Sequence, residues 1–507
     1  MELGHWSLLD HSIVLGSLVL TLLAGLWFRG KPAVGDYFFG EKSIPIGLLL
    51  VSLVAADTGG LVFLTLPGWS WKPGGSLVFL QLACGFVIGR LIVAGWILPW
   101  YFRANYLSAY QLLGQRLRLP IEQIASGLFL FLRTVADGLK LYLAAMLVSE
   151  LIPLKPGWCI LLAGLFTLSY TALGGIRAVL WTTLVQYLLF TGAAIAIFAL
   201  ILGQLPGGWS QLIEVGSEAG KFQTVQYWAD AKGLRGLAGL QSWFTDPNWL
   251  FAGLLGGAFW SMASHGCDQV VVQRYLCTSS KGAAQTALIG GAFVAVLQCA
   301  LYLAIGIGID CLQVGGTWTP LGEVAPERAF GRFVADQSIP GLSGFMVAAV
   351  LAAVVCSLSA SWNGMASAIL GDFVRPWYPQ MREELEAAVS RWSVCVCGFL
   401  QMAIAWIAWG AIDDQAAIAT ILEVTAYLAG PILGLFLLAT MREPVRGTAA
   451  IGGSLLGATV VGFLWLPTLW DKPYLTYPWY VPLGALATWG LGVVLEMPGK
   501  KKRWVRR

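Results

Sequence analysis

The chain has 507 residues, 57% of them hydrophobic and 11% charged, with a net charge of +4. A soluble domain carries roughly a quarter of its residues as Asp, Glu, Lys and Arg, so a water-soluble globular protein is excluded. Continuous apolar runs such as 12–28 and 287–308 exclude a transmembrane barrel, whose strands alternate, and the small net charge argues against a nucleic-acid partner.

The N-terminal MELGHWSLLD has no basic region, and the apolar run after it ends in WFRGK, so it reads as a retained first helix rather than a cleaved signal. At about 20 residues per crossing, apolar runs bounded by charge, Pro or Gly clusters predict thirteen spans. They lie near 11–28, 44–66, 74–100, 122–152, 157–175, 178–203, 248–266, 284–309, 340–369, 391–410, 416–440, 448–467 and 478–496. The expected class is therefore an all-α polytopic membrane protein in one domain, 1–507. Two longer loops, 204–247 and 310–339, mix charge with Gly, Trp and Pro, and 376–391 reads as a short amphipathic surface helix.

Of the 31 Lys and Arg residues, 20 fall on one side of this plan and 8 on the other, with Arg90, Arg133 and Lys140 left inside spans. The positive-inside rule then places the N-terminus outside and the C-terminus in the cytoplasm of a cell's inner membrane. The tail from Lys500 to Arg507 is expected to anchor on anionic lipid. The nine cysteines show neither a disulfide framework nor zinc spacing, and His5, His11 and His265 cannot build a metal site alone. No catalytic constellation lies in the spans, so no enzyme, no organic cofactor, no further metal and no obligatory protein partner are expected, only a small-molecule solute and the bilayer.

Ionisable groups inside a membrane are costly and default to functional roles. Asp57 sits in AADTGG, a twin-glycine stretch within an apolar span. A helix broken there at Gly59 and Gly60 frees the carbonyls of Ala55 and Thr58 to hold a cation, with Asp57 lowering the local potential; equally, Asp57 caps the second half-helix. Arg133, Asp137 and Lys140 share one helical face at i, i+4 and i+7. They form either a self-neutralised cluster or, through Asp137 and Lys140, a contact to solute. Arg90 is expected to pair with an acid on another helix, and Glu423 is either a buried contact between helices or a solute ligand.

Four motifs occur in order along the chain. They are AADTGG with LPG in span 2, YTALGGIRAVLWTTLVQ from Tyr170 to Gln186, GCDQVVVQRYL from Gly266 to Leu276, and LAAVVCSLSASWNGMASAILGDF from Leu351 to Phe373. In this the sequence resembles the sodium:solute symporters over essentially its whole length, and span 2 is most similar to the proline-symporter branch. The resemblance implies a leucine-transporter-type fold of two inverted five-helix repeats, 44–203 and 248–440, with peripheral helices 11–28, 448–467 and 478–496. It further implies alternating access, with Na+ as the coupling ion.

By the same resemblance, the sodium site would use the carbonyls of Ala55, Thr58 and Ala353 and the hydroxyl of Ser357. Two positions depart from the pattern: Cys356 stands where a hydroxyl is expected and Thr183 where an Asp is expected. A thiol is a poor ligand for a hard cation, so the site would be weaker or would recruit Asp57. Trp260 falls in the register of a solute-contacting tryptophan, with Ser264 where the companion Tyr is expected. The expected function is sodium-coupled import of a small carboxylate, amino acid or sugar. A proton-coupled symporter and a membrane sensor of the same fold are the alternatives.

Overall fold

The structure of the chain, a computed structural model, describes residues 7–30, 33–59, 61–152, 154–228, 242–319, 324–337, 339–412, 414–443, 445–466 and 475–504. These are helical almost throughout, with no strand beyond an isolated bridge between Ser43 and Thr278. In hydrocarbon every backbone N–H and C=O must find a partner within the segment, and only a helix supplies this along a continuous apolar run.

The long helices, in chain order, are α1 (Leu8–Trp27), α2 (Ile46–Thr58), α3 (Leu61–Trp71), α4 (Leu80–Ile92), α5 (Leu119–Leu151) and α6 (Pro156–Gln204), followed by α7 (Leu250–Gly266), α8 (Gln269–Leu276) and α9 (Lys281–Val314). The remainder are α10 (Leu342–Ala368), α11 (Glu383–Ala411), α12 (Asp414–Ala439), α13 (Gly447–Trp465) and α14 (Tyr480–Trp504).

Each predicted span falls on a helical run. Among the described residues, 8 helices are long and apolar enough to cross a membrane, or 9 when the bent pair α2 and α3 counts as one. The difference from thirteen has local causes. The 49-residue α6 carries two predicted spans and is broken between them at Gly175, φ +64°. A Cβ there would stand 2.6 Å from the carbonyl oxygen of Tyr37, so the position takes only glycine. Helix α5 has a charged middle, α7 has 17 residues, and α12 reaches apolar length only over Glu423–Ala439. The segment 376–391 is not a separate surface helix: Glu383, Glu384 and Glu386 fill the first turn of α11, where acids favour a helix start.

Two packing features position the site. Helix α10 runs through the bundle, with nearly every side chain from Met346 to Ala368 buried. Helices α4 and α7 meet backbone to backbone through small residues, as packed membrane helices do. A Cβ on Gly85 would lie 2.6 Å from the carbonyl of Leu254, and one on Gly89 2.3 Å from that of Ala258. That contact brings Arg90, next to Gly89, close to the C-terminal turn of α7.

Candidate functional site

Helix α2 stops at Thr58 because Gly59 takes an extended conformation (φ −83°, ψ −175°) while its N–H still bonds the carbonyl of Ala55 at 3.1 Å. The chain resumes as a helix bent 53° from the first; Gly60 lies outside the described residues. Helix α10 crosses at this break. A Cβ on Gly59 would be 2.6 Å from the Ala55 oxygen and 3.6 Å from the Ala353 oxygen, so carbonyls from two helices converge on one glycine. Ser357, one turn beyond Ala353 and partly buried, places its Oγ 3.3 Å from the Ala353 oxygen. Thr58 is buried in the last turn of α2, where carbonyls have no partner within the helix, and its hydroxyl donates to the carbonyl of Val54 at 2.9 Å. Cys356, fully buried, turns elsewhere: its Sγ contacts Thr183 Oγ1 at 3.6 Å. The two positions that depart from the family pattern therefore touch each other.

Asp57, next to Thr58, takes its partners from α4 and α7. Its carboxylate is ion-paired with Arg90 of α4 and lies 3.2 Å from Nε2 of His265 on α7. Arg90 is 1% exposed and Asp57 20%. The acid expected for Arg90 is thus Asp57. Nε and Nη1 of Arg90 have no hydrogen-bond partner, so the guanidinium depends on this one carboxylate. His265 was legible only as a lone histidine. The matching Gly85/Gly89 and Gly253/Gly257 pairs were the signal that aligns its helix with Arg90. Ser264 Oγ stands 2.9 Å from His265 Nδ1, and Trp260, one turn earlier and partly buried, packs edge-on against Tyr477 with ring centroids 6.4 Å apart.

A second charge cluster lies along α5. Asp137, 1% exposed, is 2.9 Å from Lys140 Nζ and 3.6 Å from Arg133. Arg133 also pairs with Asp268, which caps α8 by accepting from the N–H of Val270 at 2.8 Å. The three charges on one face are joined by a fourth from the inter-helix loop, a partner the spacing did not reveal. Glu423 accepts a hydrogen bond from Trp465 Nε1 of α13 at 2.9 Å, which places it against a peripheral helix and apart from the break.

Chemically, the break offers neutral, hard oxygens gathered by two helices, an arrangement suited to a desolvated monovalent cation. Among the described residues no group of three or more His, Cys, Asp or Glu side chains is gathered as a metal site.

The sodium:solute symporter family model matches residues 37–457. Among curated proteins, the chain is 26% identical over 472 residues to the sodium-dependent multivitamin transporter of Oryctolagus cuniculus, covering 89% of this chain and 69% of that protein. It is 24% identical over 466 residues to the sodium/sialic acid symporter SiaT of Proteus mirabilis, covering 91% and 90%. Its fold matches a substrate-bound, outward-open Na+-coupled sialic acid symporter with a TM-score of 0.83 at 22% identity, covering 97% of this chain and 98% of that one. The architecture is of the leucine-transporter type, and the chain belongs to the sodium:solute symporter family.

Proposed function

We propose that the protein couples sodium entry to uptake of a small organic acid, with sodium held at the break by the carbonyls of Ala55, Thr58 and Ala353 and the hydroxyl of Ser357. The observation that carries this is the convergence of the Ala55 and Ala353 carbonyls on Gly59, with Ser357 on the same oxygen. An ion bound there ties the broken helix α2/α3 to α10. A solute seated beside the break meets a different arrangement with and without the ion, which is the differential affinity that coupling requires.

Solute recognition is assigned to Trp260, to Ser264 beside His265 and to the exposed edge of Asp57, with Gly59 and Gly60 admitting close backbone approach. Asp137 and Lys140 act from α5. An acid is favoured because Lys140 and Arg133 are partly exposed cations within a predicted span, and because relatives are named for sialic acid and monocarboxylates. Glu423 serves packing against Trp465 in this reading. The repeats 44–203 and 248–440 supply the two halves that rock about the break, with the N-terminus outside and the C-terminus cytoplasmic. Sodium is favoured over a proton as the coupling ion because Asp57, the acid nearest the break, is engaged by Arg90 and His265.

The test is a thermal-shift screen of the purified protein with pyruvate, sialic acid, proline and glucose, in sodium and in choline. The proposal expects one of the two acids to stabilise the protein in sodium only. Equal stabilisation in both salts contradicts coupling, and a response to glucose alone contradicts the acid assignment.

A further inference from the structure

The second half of the broken helix, α3, is held at its far end by a lysine that takes no part in the site at the break. The short helix Gly208–Glu218, which follows α6, gives way to a turn at Gly220, φ +69°. The next residue, Lys221, turns inward and is 3% exposed. Its N–H donates to the Gly216 carbonyl at 2.8 Å, and its carbonyl accepts from the N–H of Leu77 at 3.1 Å. Its Nζ donates to the carbonyls of Ser70, Trp71 and Lys72, each at 3.0 Å, and lies 3.3 Å from Oδ2 of Asp310 on α9. An ammonium has three donors, so all of them are spent on the end of α3. The last carbonyls of a helix have no partner within it and carry its negative pole, and the buried cation answers both needs.

The same end of α3 is joined to α9. Ser70 Oγ donates to the Leu303 carbonyl at 2.7 Å, and Trp71 Nε1 donates to Gln313 Oε1 at 3.0 Å. Gly306 admits this contact, since a Cβ there would run into the Pro67 carbonyl and the Ser70 hydroxyl. Helix α3 has 11 residues and is therefore about 16 Å long. Its other end hangs on the break, where the N–H of Val62 donates to the Gly59 carbonyl at 3.3 Å. A helix this short passes a tilt at one end directly to the other. A lysine in a connecting loop ordinarily keeps its ammonium in water; Lys221 gives that up to hold α3.

We propose that Lys221 is a positioning residue for the sodium site, which it reaches through α3. By fixing the far end of α3 it sets the 53° bend at the break, and with it the place where the carbonyls of Ala55 and Thr58 stand opposite that of Ala353. The inference rests on the sodium assignment made above. Without the ammonium, the end of α3 keeps three carbonyls and the Asp310 carboxylate, a cage for a small cation. A lysine carries its ammonium on a four-carbon stem, so n-propylammonium supplies what Lys221→Ala removes.

The experiment is a sodium titration of thermal stability on the purified full chain, balanced with choline chloride and without solute. Lys221→Met keeps the bulk of the side chain and drops its charge. Half-saturating sodium should rise about tenfold, a usual size for coupling between two sites; a lysine that only capped α3 would lower the melting temperature and leave half-saturating sodium where it was. On Lys221→Ala, n-propylammonium should bring half-saturating sodium back toward the wild-type value, and tetramethylammonium, too bulky for the cage, should not. Asp310→Asn, which keeps the three carbonyl bonds, should raise it about threefold, the loss of one ion pair; it carries the test where the Lys221 variants do not fold. Half-saturating sodium that stays put in Lys221→Met, or in Asp310→Asn where the former does not fold, while Ser357→Ala raises it, overturns the positioning role alone. Recovery that fails with n-propylammonium, or is equal with tetramethylammonium, overturns the role of the ammonium. A titration unmoved by Ser357→Ala overturns instead the sodium assignment at the break.

Discussion

Asp57, 20% exposed, and Asp372, fully buried, are both carboxylates beside a distorted stretch of helix, yet their surroundings are opposite. Asp57 is met by the Arg90 guanidinium and the His265 imidazole, brought in by the close packing of α4 on α7. Asp372 accepts from the Ser108 hydroxyl, its second oxygen has no hydrogen-bond partner, and among the described residues no ion pair reaches it. An acid answered by fixed bases serves first as a crosslink between helices. An acid answered only by a hydroxyl makes no such crosslink. The position of a carboxylate along a membrane helix therefore says less about its role than what the neighbouring helices bring to it.

The largest expected effect follows from the first half of that contrast. Arg90 is buried with Nε and Nη1 already unpartnered, so Asp57→Ala should leave an uncompensated buried charge and cost about 3–5 kcal/mol. Adding Arg90→Met should recover most of it. The check is thermal stability of both variants in detergent; an Asp57→Ala protein as stable as the wild type would break the crosslink reading. Next in size is Gly59→Ala. The new Cβ would stand 2.6 Å from the Ala55 oxygen and displace it, lowering sodium affinity by about tenfold or more, as losing an ordered ligand does. Binding of radioactive sodium measures this, and unaltered affinity removes the Ala55 carbonyl from the site.

Smaller and more local is Asp137→Asn. Lys140 and Arg133 are partly exposed and Arg133 keeps Asp268, so the loss should be about 1–3 kcal/mol, below that of Asp57→Ala. A loss equal to or above the Asp57 variant's would reverse the ranking of the two clusters. The smallest effect is expected from Cys356→Ser. The thiol contacts Thr183 rather than the Ala353 carbonyl, so half-saturating sodium should change by about twofold or less. A marked tightening would show that position 356 does reach the ion.

Much of this was legible in the sequence because bilayer crossing forces long apolar runs, and glycine or charge inside such a run is conspicuous. The helical class, the break after AADTGG, the Arg133–Asp137–Lys140 face and the need of Arg90 for an acid all followed from local pattern. The partners did not. That Arg90 meets Asp57, that His265 joins them, and that Asp268 completes the α5 cluster depend on how α4, α7 and α8 pack. Helix packing is set by the small-residue faces, whose pairing across the chain is not written at any one position. Glu423 shows the converse: its span was clear, but which side of α12 faces Trp465 was not. Thr183 and Cys356 stood out singly as departures, and only the fold shows them as one contact.

The central claim is that the oxygens at the Gly59 break hold sodium. Equilibrium binding of radioactive sodium to the purified protein tests it without knowledge of the solute. The account predicts saturable binding whose half-saturating concentration rises about tenfold on Ser357→Ala and hardly moves on Cys356→Ser. Binding that is the same in the wild type and Ser357→Ala would contradict it.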